Sequence, residues 1–266
     1  MNATLLVIDP QNDFCDIDGA ALPVPGANAD LQRLASLIAR ASQSLSDIVI
    51  TLDTHATVSI ERITFWKQAD GTPVAPFTEI TEQAVAEGRY APRETSRLRE
   101  VLAYLHALEA GGRYRLMVWP VHCVLGTWGH NIHAALAKQI ATWEERNQRS
   151  ALKVLKGLNP MTEQYSAVRA EVPRLDDMRT LTNDVLVARA RPGKGLLLVA
   201  GEASSHCVAA TLTDLLATMT PEECSRVIIL RDCMSPVPGF EAAAEAFFAR
   251  AAAQGVRLMT SAEVFS

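Results

Sequence analysis

Several things the chain lacks narrow what it can be. No stretch approaches the ~20 consecutive apolar residues needed to cross a bilayer, and the opening MNATLLVIDPQNDF has no basic segment ahead of its short apolar run, which ends at an aspartate. That is not the pattern of a secretory leader, so the expected location is the cytoplasm. Basic charge is not in excess: 25 Lys and Arg face 30 Asp and Glu, a formal charge of -5. No field exists to attract a phosphate backbone or an anionic membrane, and neither nucleic acid nor membrane is an expected partner. The five cysteines (Cys15, Cys123, Cys207, Cys224, Cys233) are an odd number with no CxxC spacing, which points to reduced thiols rather than a disulfide framework. A G-x-G-x-x-G is missing after the first apolar run, where Asp9-Pro10-Gln11-Asn12 stands, and G-x-x-x-x-G-K-[ST] is missing throughout. Dehydrogenases and P-loop enzymes are disfavoured.

What is present is core material. With 266 residues, 48% hydrophobic and 21% charged, the chain can build one sizeable core or at most two small ones. Short apolar, β-branched runs at Thr4 to Ile8, Ile48 to Leu52, Leu116 to Trp119, Leu152 to Leu155, Leu196 to Ala200, Val227 to Leu230 and Val256 to Met259 read as strands buried on both faces. Helical patterns lie between them at Asn28 to Leu45, Ser96 to Glu109, Asn131 to Arg146, Val208 to Met219 and Phe240 to Gln254. The alternation predicts an α/β fold of three layers, α/β/α, around a six-stranded, mostly parallel sheet. Two stretches break the rhythm, 56–95 and 159–184, and are expected to be long loops beside the active site of a single domain spanning 1–266, although either could carry a short helix of its own.

In an open parallel sheet, ligands bind beyond the carboxyl ends of the strands. The residues that follow the predicted strands are Asp9, then Asp53 and His55, His122, Lys156, and Cys207. Cys207 stands between an apolar strand and an amphipathic helix, where the helix dipole is expected to lower a thiol pKa. Cys224 and Cys233 read instead as buried structural cysteines. His206 is adjacent in sequence but points about a hundred degrees away at a helix start, so it is expected at solvent or the pocket rim. Asp9 and Lys156 are better placed to serve the thiol, one taking its proton and the other holding both anions. Lys153 competes with Lys156, but Lys156 lies past the apolar run, at the rim.

Asp53-Thr54-His55 puts two ligand types on one side of an extended segment, since residues i and i+2 share a face. His122 can add a third, and an Asp, His, His set suits zinc, iron or manganese with positions open for water or substrate. His130 and His133 form a rival pair, read as surface or capping residues because no carboxylate lies nearby.

Taken together, VIDPQNDF (Val7 to Phe14), DTH (Asp53 to His55), WPVHCVLGT (Trp119 to Thr127), KG followed by YSA (Lys156, Gly157, Tyr165 to Ala167) and GEASSHCV (Gly201 to Val208) resemble, in order and over nearly the whole chain, the isochorismatase-like cysteine hydrolases. The DTH and WPVHC segments resemble the metal-containing nicotinamidase and pyrazinamidase branch. The resemblance implies a Rossmann-like topology and a catalytic triad of Asp9, Lys156 and Cys207. It also implies an oxyanion hole from the N–H groups of Ala203 and Cys207, with a cis peptide between Glu202 and Ala203, and a ring pocket walled by Phe14 and Trp119. One divalent metal, most often zinc, would be held by Asp53, His55 and His122. The implied activity is hydrolysis of nicotinamide or a similar small-molecule amide, with a place in NAD salvage, by a homo-oligomer. The chain departs from the pattern at Ile60-Glu61-Arg62-Ile63-Thr64-Phe65, where a further histidine is usual and Glu61 is a substitute ligand candidate, and at EASSH in the nucleophile loop. Two other readings stand beside this one. The first is a metal-independent hydrolase of the same scaffold acting on another amide, a ureido group or a vinyl ether. The second is a non-catalytic binding protein.

Overall fold

The structure, a computed structural model, describes residues 2–265. In chain order the elements are β1 (Ala3–Ile8), α1 (Ala27–Ala41), β2 (Leu45–Asp53), β3 (Trp66–Gln68), β4 (Thr78–Ile80), α2 (Glu82–Ala86), β5 (Tyr90–Pro92), α3 (Leu98–Ala110), β6 (Leu116–Val118) and α4 (Ala134–Asn147). They continue with β7 (Leu152–Lys156), α5 (Asp184–Arg189), β8 (Leu196–Gly201), α6 (Cys207–Leu216), α7 (Pro221–Cys224), β9 (Val227–Leu230), α8 (Glu241–Ala253) and β10 (Arg257–Met259). Six strands form one sheet in the order β10-β9-β8-β1-β2-β7, and every pairing in it is parallel.

The pleat explains why β1 reads as an unbroken apolar run. Alternate side chains point to opposite faces, and here both faces are covered. Leu5 and Val7 join a core with Leu31, Leu34, Leu37 and Ile38 of α1 and Leu136, Ile140 and Trp143 of α4. Leu6 and Ile8 join a second with Val208, Leu212 and Leu215 of α6 and Phe247 of α8. Each fully buried Leu or Ile contributes ~1.5–3 kcal/mol by leaving water.

Three expectations need correction. The run Leu116 to Trp119 does not enter the main sheet; β6 pairs antiparallel with β4 instead. The 56–95 stretch holds the short helix allowed for and, besides it, three short strands. It carries β3 and β5, paired antiparallel, then β4 and the short α2, whose first turn is capped by Thr81 accepting from the N–H of Ala84 at 3.1 Å. Strands of three residues are too short to show a period of two, which is why they escape a sequence reading. Together with α3 they enclose a third core of Ile60, Phe65, Trp66, Val74, Ile80, Val101 and Leu105. The 159–184 stretch is largely irregular, with a single 3-10 turn at Met178–Thr180 before α5. Helix α1 also ends earlier than expected, so that Leu45 opens β2. Among the described residues no helix is long and apolar enough to cross a membrane.

Candidate active site

Four neighbouring strands, β8, β1, β2 and β7, deliver the candidate residues to one rim. Asp9 follows β1, Asp53 ends β2, Lys156 ends β7, and Cys207 opens α6 after β8. The Lys156 ammonium is the hub, with Nζ 3.0 Å from Asp9 Oδ2, 2.7 Å from Asp53 Oδ1 and 3.5 Å from Cys207 Sγ. It also donates to the carbonyl of Gln164 at 3.1 Å. Lys153, on the opposite parity, faces outward toward Glu144. Thr51 donates its hydroxyl to Asp9 Oδ1 at 2.6 Å, and Gln11 bridges to the main chain of Asp53 with both ends of its amide, at 2.8 and 2.7 Å. Behind the cluster β8 crowds β1: a Cβ on Gly201 would lie 1.9 Å from the carbonyl oxygen of Ile8, so only glycine fits.

Burial sets the charges. It would lower the Lys156 pKa, but the carboxylates of Asp53 and Asp9 outweigh it and hold the ammonium well above the usual lysine range. Burial likewise pushes Asp53 up, yet His55 and Lys156 keep it well below the carboxylate range. For Asp9 burial prevails over Lys156 and the pKa is raised. The Cys207 thiol is also pushed well up by burial, against the pull of Lys156. This corrects the expectation of a dipole-lowered thiol: desolvation outweighs one helix turn, and the proton must leave when a base takes it.

The three expected metal ligands do come together. Asp53 Oδ1 is 2.8 Å from His55 Nε2, and Asp53 Oδ2 is 3.4 Å from His122 Nε2. Glu61, the substitute candidate, stands among them, and so does Arg62, which the sequence did not place there. Glu61 Oε1 lies 2.8 Å from His55 Nδ1, so both nitrogens of that ring face carboxylates. Burial would lower His55, but Asp53 and Glu61 bring it up to about 9. Arg62, fully buried, donates from Nη1 to His122 Nε2 at 3.0 Å and lies beside Asp53. Burial and that guanidinium take His122 down to about 4. A transition metal needs a free lone pair on each imidazole. Here one ring is flanked by carboxylates on both nitrogens, and the other has a fixed cation within 3.0 Å of both of its nitrogens. Among the described residues no three His, Cys, Asp or Glu side chains form a metal-holding group, and the residues as arranged do not fit the ion.

The pocket above Cys207, a narrow cavity of about 40 Å³, is walled by Phe14, Leu22, Trp119, Tyr165, His206 and Val237, with Arg62, His122 and Glu163 at its polar end. Trp119 donates its indole N–H to the Tyr165 hydroxyl at 3.1 Å, which fixes the ring plane. His206 is not at solvent. It is buried against Trp119, Tyr165 and Phe240 at ring separations of 5.3, 5.5 and 4.6 Å. His130 and His133 are buried as well, His130 within 2.9 Å of the Thr54 hydroxyl and His133 at the cap position of α4. The Glu202–Ala203 peptide is cis. Among the described residues no internal hydrogen bond is found for the N–H groups of Ala203 and Cys207. Arg62 and Glu163 were not singled out in the sequence, because a charged residue in an aperiodic stretch carries no local sign of burial. Tyr165 was visible only as part of YSA.

No family profile matches the chain. Among curated proteins the chain is 28% identical over 140 residues to the nicotinamidase of Saccharomyces cerevisiae, a match covering 52% of this chain and 52% of that protein, so that it spans about half the relative's length. Among solved structures, a nicotinamidase/pyrazinamidase of Acinetobacter baumanii superposes with a TM-score of 0.66 at 22% identity, covering 99% of this chain and 98% of its own. The pyrazinamidase of Pyrococcus horikoshii, solved in complex with zinc, superposes with a TM-score of 0.57 at 20% identity, covering 98% and 99%. At such identities the structures establish a common fold, and with the sequence match they bear out the resemblance drawn from the motifs.

Proposed function

We propose that the chain is a cysteine amidohydrolase that converts nicotinamide, or a similar small heteroaromatic carboxamide, to the acid and ammonia through a thioester on Cys207. The observation that carries this reading is the meeting of three groups on one rim. Lys156 Nζ stands 3.0 Å from Asp9 and 3.5 Å from the Cys207 sulfur, at the floor of a pocket walled by Phe14 and Trp119.

Asp9 takes the thiol proton as the sulfur attacks the amide carbon, and the oxygen of the tetrahedral intermediate accepts from the N–H groups of Ala203 and Cys207. Asp9 then gives its proton to the departing nitrogen, and ammonia leaves. A water deprotonated by Asp9 attacks the thioester, the acid departs, and the proton returns to sulfur. A carboxyl with a raised pKa can both take and give a proton in this way. Lys156 stays charged throughout and balances whichever of Asp9 and Cys207 is anionic. The flat walls position a single ring so that its carboxamide lies over the sulfur.

The test is ammonia release from nicotinamide, pyrazinamide and open-chain amides. Turnover of the ring amides is expected, with Cys207→Ala losing ~10³-fold or more in kcat while its far-UV circular dichroism is unchanged. Full activity in Cys207→Ala, or turnover of open-chain amides alone, refutes the reading.

A further inference from the structure

The polar end of the pocket contains a permanent cation in the space that a metal reading of Asp53, His55 and His122 would assign to the ion. Arg62 is 0% exposed. Its Nη1 donates to the Pro120 carbonyl at 3.1 Å as well as to His122 Nε2 at 3.0 Å. Its Nε lies 3.2 Å from Glu61 Oε1, and its Nη2 lies 3.9 Å from Asp53 Oδ2. His122 Nδ1 lies 2.8 Å from the same Pro120 carbonyl and 2.5 Å from Nη1, so the guanidinium stands within 3.0 Å of both nitrogens of this ring. The His55 ring is confined from the other side too. A Cβ on Gly157 would sit 2.6 Å from its Cε1, so this glycine admits the imidazole between Asp53 and Glu61. A guanidinium cannot give up its proton in a protein. A dication entering this space would meet the like charge of Arg62 beside His122, next to a His55 ring set between two carboxylates.

One edge of the guanidinium remains unused. Nη2 is buried and without a hydrogen-bond partner, although Arg62 lines the pocket. A buried N–H left unpaired is costly unless a ligand or water completes it. We infer that Arg62 replaces a metal in this chain: the Asp53, His55, His122 cluster binds no transition ion, and the free guanidinium N–H orients the substrate by donating to a hydrogen-bond acceptor on its ring. The substrate class follows from the donor. It is a carboxamide carrying a ring nitrogen or carbonyl oxygen that can accept, and this clause alone rests on the amidase reading above.

The chain purified without chelator from zinc-supplemented medium is expected to contain far less than one transition-metal ion per chain by mass spectrometry, and its melting temperature should not rise with added zinc. Arg62→Ala removes the cation and should gain about one zinc per chain through Asp53 and His122 with His55 or Glu61. Freed of zinc by chelator, it should show a KM for nicotinamide raised about tenfold or more, the loss expected for one charge-assisted hydrogen bond. Its kcat should change little, and millimolar guanidinium should restore KM. Stoichiometric metal in the unaltered chain, with ammonia release abolished by chelator, overturns the inference, as does an unchanged KM in Arg62→Ala. If Arg62→Ala does not fold, the metal content of the unaltered chain decides. If no amide is turned over, the amidase reading falls, and the metal content still decides whether Arg62 has taken the ion's place.

Discussion

Cys207 and His206 are adjacent in the chain, yet burial asks different things of them. The imidazole of His206, enclosed by three aromatic rings, is held down to about 4 by desolvation from an ordinary 6.5. The unfolded chain therefore takes up a proton near 6.5 that the native state takes up only near 4. Stability conferred by the neutral ring is complete above the higher value and is lost as pH falls through this window, on the order of 3 kcal/mol at most. Melting temperatures measured from pH 7 to 4.5 should fall, and His206→Phe should give a shallower slope. An equal slope in the variant assigns the acid sensitivity elsewhere. The residue scale is also where the sequence was most and least informative. Asp9 and Lys156 were legible because each directly follows an apolar run, and Cys207 because it opens a helix one short turn after another such run, so strand topology puts them on one rim. His206, His130 and Arg62 were not, because the chain segments that enclose them come from distant parts of the sequence.

The elements that proved legible are those buried on both sides, such as β1, β2 and β8, where an unbroken apolar run has few alternatives. Those that did not are stabilised by neighbours rather than by their own pattern, such as β3 to β5, or are apolar runs diverted elsewhere, such as β6. Glycine was informative in a way that composition is not. Gly201 has a φ of +116° and allows β8 to approach Ile8 at a distance no side chain permits. Gly201→Ala should force the two strands apart, lowering the free energy of unfolding by about 3 kcal/mol or more through overpacking and backbone strain. Because the Cys207 loop begins at the next residue, catalysis should fall along with stability. Urea titration measures the first effect and ammonia release the second, and a variant as stable as the parent would show that the strand pair tolerates the shift.

On the scale of the whole molecule, the third core has a consequence for motion. It is assembled mainly from residues between β2 and β6, with Leu116 and Val118 of β6 and Met161 from beyond β7 added, and Ile60, one of its members, directly precedes the Glu61-Arg62 pair. Proteins open in cooperative patches, and a patch supported by short strands and a small cluster opens at a lower free energy than a six-stranded sheet. Amide hydrogens of β3, β4 and β5 should therefore exchange with deuterium well before those of β1 and β8, and those of 60–66 should exchange with the faster group. Because the walls around the sulfur leave little room, the frequency of that opening, rather than diffusion through the pocket mouth, would then set how fast a bulky reagent reaches Cys207.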